Sequence, residues 1–127
     1  MRVILSRKGF DSGAGGCPSP ILPDGRLLSL PIPDVASPLR YRDLQAGDVD
    51  LGELVEQLTG GRYPAGHPAH LDPDLQVGTL ARAPHWRPLL GQSGSAQGHL
   101  LNQGVGVGDL FLFFGLFQPV KHEGGRW

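Results

Sequence analysis

The chain opens with MRVIL (residues 1–5), whose apolar part predicts a short buried strand. This strand leads into SRKGFDS (residues 6–12) and the glycine-rich loop GAGG (residues 13–16). Ligands of open α/β sheets bind beyond the carboxyl ends of the strands. Glycines also let the backbone turn sharply and present N–H groups to an anion. The stretch therefore predicts a phosphate-binding edge formed by Ser6, Arg7, Lys8 and Ser12.

A second apolar run, LFLFF (residues 110–114), predicts another buried strand. Strands that are apolar at consecutive positions are typically covered on both faces. We therefore expect Arg2–Ser6 and Leu110–Phe114 to be central neighbours in one mixed sheet with flanking helices and long Gly/Pro-rich loops. These features define an α/β fold class.

Two helices are predicted, together with one hairpin. Asp50 can cap a helix that extends to Thr59, with apolar residues at spacing i, i+3, i+4 and i+7 on one face, and this helix should cover the sheet. A second helix is expected at Ser95–Gln103, with Ser95 as its cap and two leucines facing inward. Turn residues at 23–25 predict a hairpin whose second strand is Arg26–Ile32.

The composition favours one folded domain over residues 1–127. The chain has 20 glycines and 12 prolines, but apolar clusters interrupt them too often for a disordered chain. The final residues, GGRW (124–127), resemble a turn entering a further strand. We therefore expect either the N-terminal part of a longer protein or a domain completed by a second polypeptide segment or by a homo-oligomer.

The charges and the single cysteine exclude several classes of protein. A net charge of −1 gives no global basic field to attract nucleic acid, so such contacts would depend on local clusters. Cys17 alone forms neither an internal disulfide nor a multi-cysteine zinc site. The N-terminus lacks a signal peptide, and no stretch is long and apolar enough to span a membrane. These features predict a cytoplasmic protein without membrane contact.

The segment HPAHLDPD (residues 67–74) is the best candidate for binding a metal. Side chains at spacing two project to one side of an extended backbone. Carboxylates favour Mg²⁺ or Mn²⁺, and adding imidazole moves the preference toward Mn²⁺ or Zn²⁺. The predicted metal ligands are Asp11, His70, Asp72 and Asp74. With three carboxylates in this set, we expect Mn²⁺ or Mg²⁺. The alternative is a polar turn in which Asp72 caps the chain before Pro73.

Further polar residues belong to the second predicted helix. His99 and Asn102 are three residues apart and should share one helix face. His99 is a candidate general acid/base because its unperturbed pKa lies near neutrality, and Asn102 is a candidate substrate ligand. The pattern Gly104-x-Gly106-x-Gly108 is not a dinucleotide fingerprint, because it precedes a strand instead of opening a helix.

Several of these motifs together resemble a known family, the third of the numbered nucleotide-modification-associated domain families. The resemblance spans nearly the whole chain and rests first on residues 6–12, 16–21 and 25–33. Later motifs are HLDPD (70–74), the region of Trp86 and Gly91-Gln92, NQGVG (102–106) and GDLFLFFG (108–115). The resemblance implies a bacterial or phage protein linked to DNA modification, restriction or nucleotide processing.

Three functions follow as hypotheses. The first is a metal-dependent enzyme acting on DNA or nucleotide phosphates, most simply a phosphodiester-cleaving nuclease with Asp11, Asp72 and His99 as catalytic residues. The second is a transferase that modifies a base or nucleotide. The third is a module that binds modified nucleotides without turnover.

Overall fold

The computed structural model describes residues 1–127 and has helices and strands in mixed order, which confirms the α/β class. The strands form four separate pairs, two parallel and two antiparallel, so the prediction of one mixed sheet is wrong. Neither α-helix has the length and apolar character needed to cross a membrane. The elements in chain order are β1 (Val3–Arg7), β2 (Ser19–Ile21), β3 (Ile32–Pro33), β4 (Gln45–Ala46), β5 (Val49–Asp50), α1 (Leu51–Leu58), β6 (Ala69–His70), α2 (Gly94–Asn102), β7 (Leu110–Phe114) and β8 (Phe117–Pro119), with 3₁₀ turns at Tyr41–Asp43 and Val77–Thr79.

Helix α1 forms where the apolar spacing predicts it. The Asp50 carboxylate accepts a hydrogen bond from the Glu53 N–H at 3.0 Å, which confirms Asp50 as the cap. Leu54 and Val55 are fully buried on the predicted face. The helix stops before Gly60, which adopts a positive φ that disfavours other residues.

The hydrophobic core surrounds α1, which packs mainly against the turn Tyr41–Asp43 and against β5. Burying one leucine side chain in such a core stabilises the fold by about 1.5–3 kcal/mol. No core residue belongs to β1 or β7, so the prediction that this helix covers that strand pair is wrong. The core residues are Phe10, Leu22, Leu30, Tyr41, Leu44, Val49, Leu51, Leu54, Val55 and Ala69.

Strands β1 and β7 are neighbours, as the two apolar runs predict, and they run parallel, with Leu5 opposite Leu112 and Ser6 opposite Phe113. The prediction of a central position is wrong, because each strand has only one partner and is therefore an edge strand. Leu5 is 70% exposed and Leu112 is 46% exposed, so one face of the pair is open to solvent. The apolar run is therefore half-buried at alternate positions and exposed at the others, and Ser6 and Phe113 lie on the half-buried face.

Helix α2 occupies the predicted region but begins at Gly94 and ends at Asn102. Ser93 occupies the cap position without a side-chain cap hydrogen bond, so the prediction of a Ser95 cap is wrong. Leu101 is 66% exposed, and the helix has no buried residue. Of the two leucines expected to face inward, only Leu100 is half-buried. The helix has too few apolar residues to form a continuous packing face.

The hairpin prediction holds only for its turn. The Gly25 N–H donates to the Leu22 carbonyl, and the Leu22 N–H donates to the Arg26 carbonyl, both at 2.8 Å. The ladder ends at Leu28, whose N–H donates to the Pro20 carbonyl at 3.0 Å. Ile32 pairs instead with His70 between β3 and β6, so a continuous strand over residues 26–32 is wrong.

One glycine fixes the direction of the chain after β1. Gly9 has a φ of +86°, and a Cβ there would lie 2.5 Å from the Oγ of Ser29 and 3.0 Å from the Oγ of Ser19. Only glycine combines that backbone conformation with so close an approach. The turn takes Phe10 into the core and leaves Lys8 half-buried.

Candidate functional site

A cavity of about 550 Å³ lies at the C-terminal end of β1. Arg7, Lys8 and Asp11 line it from the first segment of the chain, and His70 and Asp72 line it from the HLDPD segment. The two segments expected to share a cleft, Ser6–Ser12 and His70–Asp74, therefore meet in part, since Ser6, Ser12 and Asp74 do not line it. We call this cavity, with its lining residues, the β1 cleft.

The best-defined polar contact in the β1 cleft joins Lys8 to Asp72. The Lys8 Nζ lies 3.4 Å from the Oδ2 of Asp72, and these side chains are only 18% and 15% exposed. The other carboxylate oxygen, Oδ1, accepts the backbone N–H of Gly91 at 2.8 Å. Asp72 is therefore oriented from two sides, and its Oδ2 meets the only lysine of the cleft.

Asp11 organises the glycine-rich loop that follows it. Its Oδ1 accepts the N–H groups of Gly13 at 2.8 Å and of Ala14 at 2.7 Å, and its backbone carbonyl accepts the Gly16 N–H at 2.9 Å. This is a side-chain-closed turn. The expectation that this loop presents free N–H groups to an anion is therefore wrong for these three residues.

Arg7 is the second cation of the cleft. Its Nη2 lies 3.3 Å from the Oδ2 of Asp11, and its side chain is about half exposed. An exposed pair of this kind contributes little to stability because solvent screens it. The Arg7 guanidinium can therefore exchange Asp11 for another anion at small cost.

Asp74 is engaged outside the cleft. Both of its carboxylate oxygens accept hydrogen bonds from the Arg82 guanidinium at 2.6 Å, the two-pronged geometry typical of arginine with carboxylate. The hydrogen bonds to Asp74 raise the pKa of Arg82. Asp74 does not line the cavity that Asp72 lines.

His70 lines the cleft but faces a different carboxylate. Its Nδ1 lies 3.6 Å from the Oδ2 of Asp34, and both side chains are substantially exposed. The strand pairing of His70 with Ile32 places it at the edge of the β3–β6 pair.

These contacts bear directly on the predicted metal site. No group of three His, Cys, Asp or Glu side chains is arranged to hold a metal ion. The donor oxygens of Asp72 and Asp74 already accept hydrogen bonds from Gly91, Lys8 and Arg82. The donor set therefore does not fit a divalent ion in this arrangement, and the binding of Mn²⁺ or Mg²⁺ stays a prediction.

His99 lies in a different part of the molecule. It lines a second cavity, of about 460 Å³, together with Ser6 and with Gln92. Neither His99 nor Ser6 lines the β1 cleft, and Ser12 and Asn102 line neither cavity. The expectation that these side chains converge with Asp72 on one cleft is therefore wrong. Helix α2 lies beside the N-terminal part of the strand pair, at residues 2–6, whereas the β1 cleft begins at Arg7.

A third depression, of about 690 Å³, is larger than the β1 cleft but has a different character. Its walls include Asp50, Glu53 and Glu56. All three carboxylates accept hydrogen bonds, within α1 or from the Ala65 N–H. Three carboxylates against two arginines, Arg42 and Arg126, leave this depression with an excess of negative charge, so the β1 cleft is the better candidate for an anionic ligand.

Cys17 is half-buried next to the core, and burial raises the pKa of its thiol. A raised pKa reduces the thiolate fraction near neutral pH. The cysteine therefore has no feature of an activated nucleophile.

Sequence reasoning missed four neutral polar residues that line the β1 cleft, namely Ser29, Gln45, Gln76 and Thr79. Gln45 lies in the two-residue strand β4, Thr79 ends the 3₁₀ turn Val77–Thr79, and Gln76 precedes that turn; these three belong to no motif. The one available signal was the spacing of Asp74 and Arg82, eight residues apart, which suggests a closed loop between them.

The fold and the cleft define an α/β protein with a cleft at the end of a parallel strand, where two cations, Arg7 and Lys8, lie beside two carboxylates, Asp11 and Asp72. The chain belongs to the family described as nucleotide modification associated domain 3, whose model matches residues 2–127. Searches among curated proteins and among solved structures gave no match. The family description links the chain to nucleotide modification, in agreement with the resemblance carried by its motifs.

Proposed function

We propose that this chain binds the phosphate of a nucleotide through Arg7 and Lys8 in the β1 cleft and acts in nucleotide modification. One observation carries the proposal: two cations at the C-terminal end of one strand line a single cavity of about 550 Å³. The family assignment supports a nucleotide as the ligand.

The two cations retain hydrogen-bond donors for a ligand. Lys8 has three N–H donors and uses one of them toward Asp72. Arg7 has five donors and approaches only Asp11, at 3.3 Å. A phosphate could therefore bind both side chains without displacing a buried contact.

The remaining walls suit the rest of a nucleotide. Leu28, Pro31, Ile32 and Phe113 supply apolar surface beside the charged residues. Cavities of about 300–1,000 Å³ with mostly apolar walls and a few polar groups are typical of small-molecule sites. The β1 cleft falls within this range.

Asp72 is the residue that we assign to proton transfer. Its Oδ1 is held by the Gly91 N–H, which leaves Oδ2 facing Lys8. A carboxylate oxygen can accept more than one hydrogen bond, so Oδ2 can take a proton from a hydroxyl or amine of the substrate while it stays beside Lys8. A transferase that modifies a base or nucleotide agrees best with this arrangement.

The first experiment measures binding of deoxynucleoside 5′-monophosphates by calorimetry. Lys8→Met should weaken binding roughly 10- to 100-fold, because a charge-assisted hydrogen bond is lost. Lys121→Met removes an exposed lysine outside the cleft and is the matched control. Equal affinities of the wild type and Lys8→Met would exclude this phosphate site.

A second experiment separates the three reaction classes with labelled DNA, with and without Mg²⁺, Mn²⁺ or EDTA. Cleavage that EDTA abolishes, and that Asp72→Asn removes without a change in melting temperature, would favour the metal-dependent nuclease with Asp11, His70 and Asp72 at its centre. Product formation only with a co-substrate would favour a transferase. Tight binding without product under all conditions would favour a binding module.

A further inference from the structure

The loop Asp74–Arg82 contributes Leu75, Gln76 and Thr79 to one wall of the β1 cleft. Its last residue, Arg82, binds its first residue, Asp74, and so closes the loop. The Arg82 guanidinium donates to both oxygens of Asp74 at 2.6 Å and to the Gln76 carbonyl at 2.7 Å. The backbones of Asp74 and Leu89 also exchange two hydrogen bonds of 2.8 Å. The loop is therefore fixed at its base by side-chain and main-chain contacts.

Arg82 is itself held in place. Its guanidinium carbon lies 4.0 Å from the centre of the Trp86 ring, a favourable cation–π distance. The side chain of Arg82 is only 10% exposed. An arginine with a two-pronged partner and a stacked aromatic ring has few alternative rotamers, so it fixes the loop in one conformation.

The fixed loop directs neutral polar groups toward the cavity. Gln76 and Thr79 line the β1 cleft from the loop, and Gln45 lines it from β4, which contacts the turn Val77–Thr79. The side chains of these three residues are free of hydrogen bonds to the rest of the protein and are not buried. They are therefore available to a ligand.

The chemistry of these groups suits a nucleobase. An amide presents a donor and an acceptor side by side, which matches the edge of a base, and glutamine pairs with adenine in this way. Phosphate, in contrast, is bound best by charged donors. The neutral groups of the loop and the cations of β1 thus suit different parts of one nucleotide.

Apolar residues in the same cavity are unusually exposed. Leu27 and Leu75 both line the cleft, yet they are 63% and 44% exposed. The planar face of a base would cover such side chains, as apolar groups do for bases held in enzyme pockets.

We propose that the Asp74–Arg82 loop is the base-recognition wall of the β1 cleft. Gln76 and Thr79 hydrogen-bond the edge of the base, and Arg82 is a positioning residue that holds them in place. This inference rests on the proposed function, in which Arg7 and Lys8 bind the phosphate of the same nucleotide.

The test compares the four deoxynucleoside 5′-monophosphates with 2-deoxyribose 5-phosphate, which lacks a base. The wild type should distinguish its best from its worst base by about tenfold or more, since one paired base edge has that effect. Gln76→Leu should remove most of this preference and leave the affinity for 2-deoxyribose 5-phosphate unchanged. Gln97→Ala, on α2 outside the cleft, is the matched control.

Arg82→Met tests the positioning role. It should also abolish the base preference while 2-deoxyribose 5-phosphate still binds, whereas Arg87→Met, an exposed arginine outside the cleft, should keep both. Arg82→Lys should restore the preference only in part, because lysine keeps the charge but not the two-pronged bond. An equal loss of affinity for all five compounds would mean a merely structural role and would overturn the assignment.

The outcomes separate this inference from the proposed function. If the wild type binds all four nucleotides and 2-deoxyribose 5-phosphate equally well, and Lys8→Met weakens them all, the phosphate site stands and the base-recognition wall does not. If no phosphate compound binds the wild type, both are overturned. A preference that survives Gln76→Leu overturns the role of Gln76 even if Arg82→Met fails to fold.

Discussion

The region around α1 and the β1–β7 strand pair are built from equally apolar sequence but end in opposite environments. Leu54 and Val55 are completely buried, whereas Leu5 and Leu112 on the strand pair lie open to solvent. The helix meets Tyr41 and its neighbours on its apolar face. The strand pair has an equivalent apolar face with no cover from this chain.

The difference shows that the two regions are stabilised in different ways. Burial of apolar side chains around α1 stabilises the fold through the hydrophobic effect, which is the dominant favourable contribution to folding. A two-stranded sheet is marginally stable by itself. The strand pair therefore depends on main-chain pairing and on polar contacts at its ends, such as those of Asp109 with Arg2.

The largest effect is expected from Leu54→Ala, which should lower the free energy of unfolding by about 2–5 kcal/mol because it leaves a cavity in the core. Leu112→Ala on the strand pair should lose less than about 1 kcal/mol, since the side chain is already half exposed. Urea denaturation measures both values. An equal loss for the two variants would show that the strand face is covered in solution, as the predicted second segment or homo-oligomer requires.

The next effect concerns the hydroxyl of Tyr41, which is buried and donates to the Pro31 carbonyl at 2.7 Å. Tyr41→Phe should lower stability by about 1–3 kcal/mol because a buried carbonyl loses its partner. Tyr63→Phe, at a half-buried tyrosine, should change stability less. Thermal denaturation at neutral pH compares the two variants, and equal losses would contradict the importance of this hydrogen bond.

Burial also raises the pKa of Tyr41 and so favours its neutral form in the folded state. The corresponding stability is complete below the unfolded pKa of about 10 and is lost as the pH rises above it. The wild type should therefore lose stability between pH 10 and 12 (a window of about two units above that pKa) more steeply than Tyr41→Phe. Parallel slopes for the two proteins would contradict this assignment.

A smaller and more local effect is expected at Asp109, which accepts the N–H groups of Arg2 at 2.8 Å and of Gly106 at 3.0 Å. These hydrogen bonds lower the pKa of Asp109. Asp109→Ala should therefore speed amide hydrogen exchange in β1 several-fold and leave α1 protected. Asp48→Ala, at an exposed carboxylate, should change neither region.

The pH dependence of the same exchange follows from the lowered pKa. The contribution of Asp109 is complete above the unfolded pKa of about 4 and is lost as the pH falls through its lower folded value. After correction for the intrinsic exchange rate, β1 should lose protection below about pH 4 before α1 does. Simultaneous loss in both regions would mean that they unfold as one unit.

The smallest effect is expected from Leu5→Thr on the open face of β1. Because the side chain is 70% exposed, the change in stability should stay within about 0.5 kcal/mol. A loss comparable with that of Leu54→Ala in the same urea measurement would again indicate that a partner covers this face.

Sequence predicted the local parts of the fold well. The α1 helix with its Asp50 cap depends on neighbouring residues, and such signals can be read directly from a short window. The prediction that β1 and β7 are neighbouring strands was also correct. The central position failed because five apolar residues in a row do not reveal how many other elements cover them.

The candidate site was predicted in part. The two segments that meet in the β1 cleft were correctly brought together, because both are turns that carry charged residues. The engagement of Asp74 by Arg82 was not foreseen, and neither was the separation of His99 from Asp72. Both depend on the paths of long irregular segments, which have no periodic pattern to read.

The burial of Phe10 between Lys8 and Asp11 has a further consequence for any ligand of the β1 cleft. Phe10 packs in the α1 core, so Asp11 moves with that core, whereas Arg7 and Phe113 belong to the weakly covered strand pair. The two sides of the cleft thus belong to regions of unequal local stability. A bound ligand would connect these two regions. Its dissociation rate would depend on how often the strand pair separates from the rest of the protein.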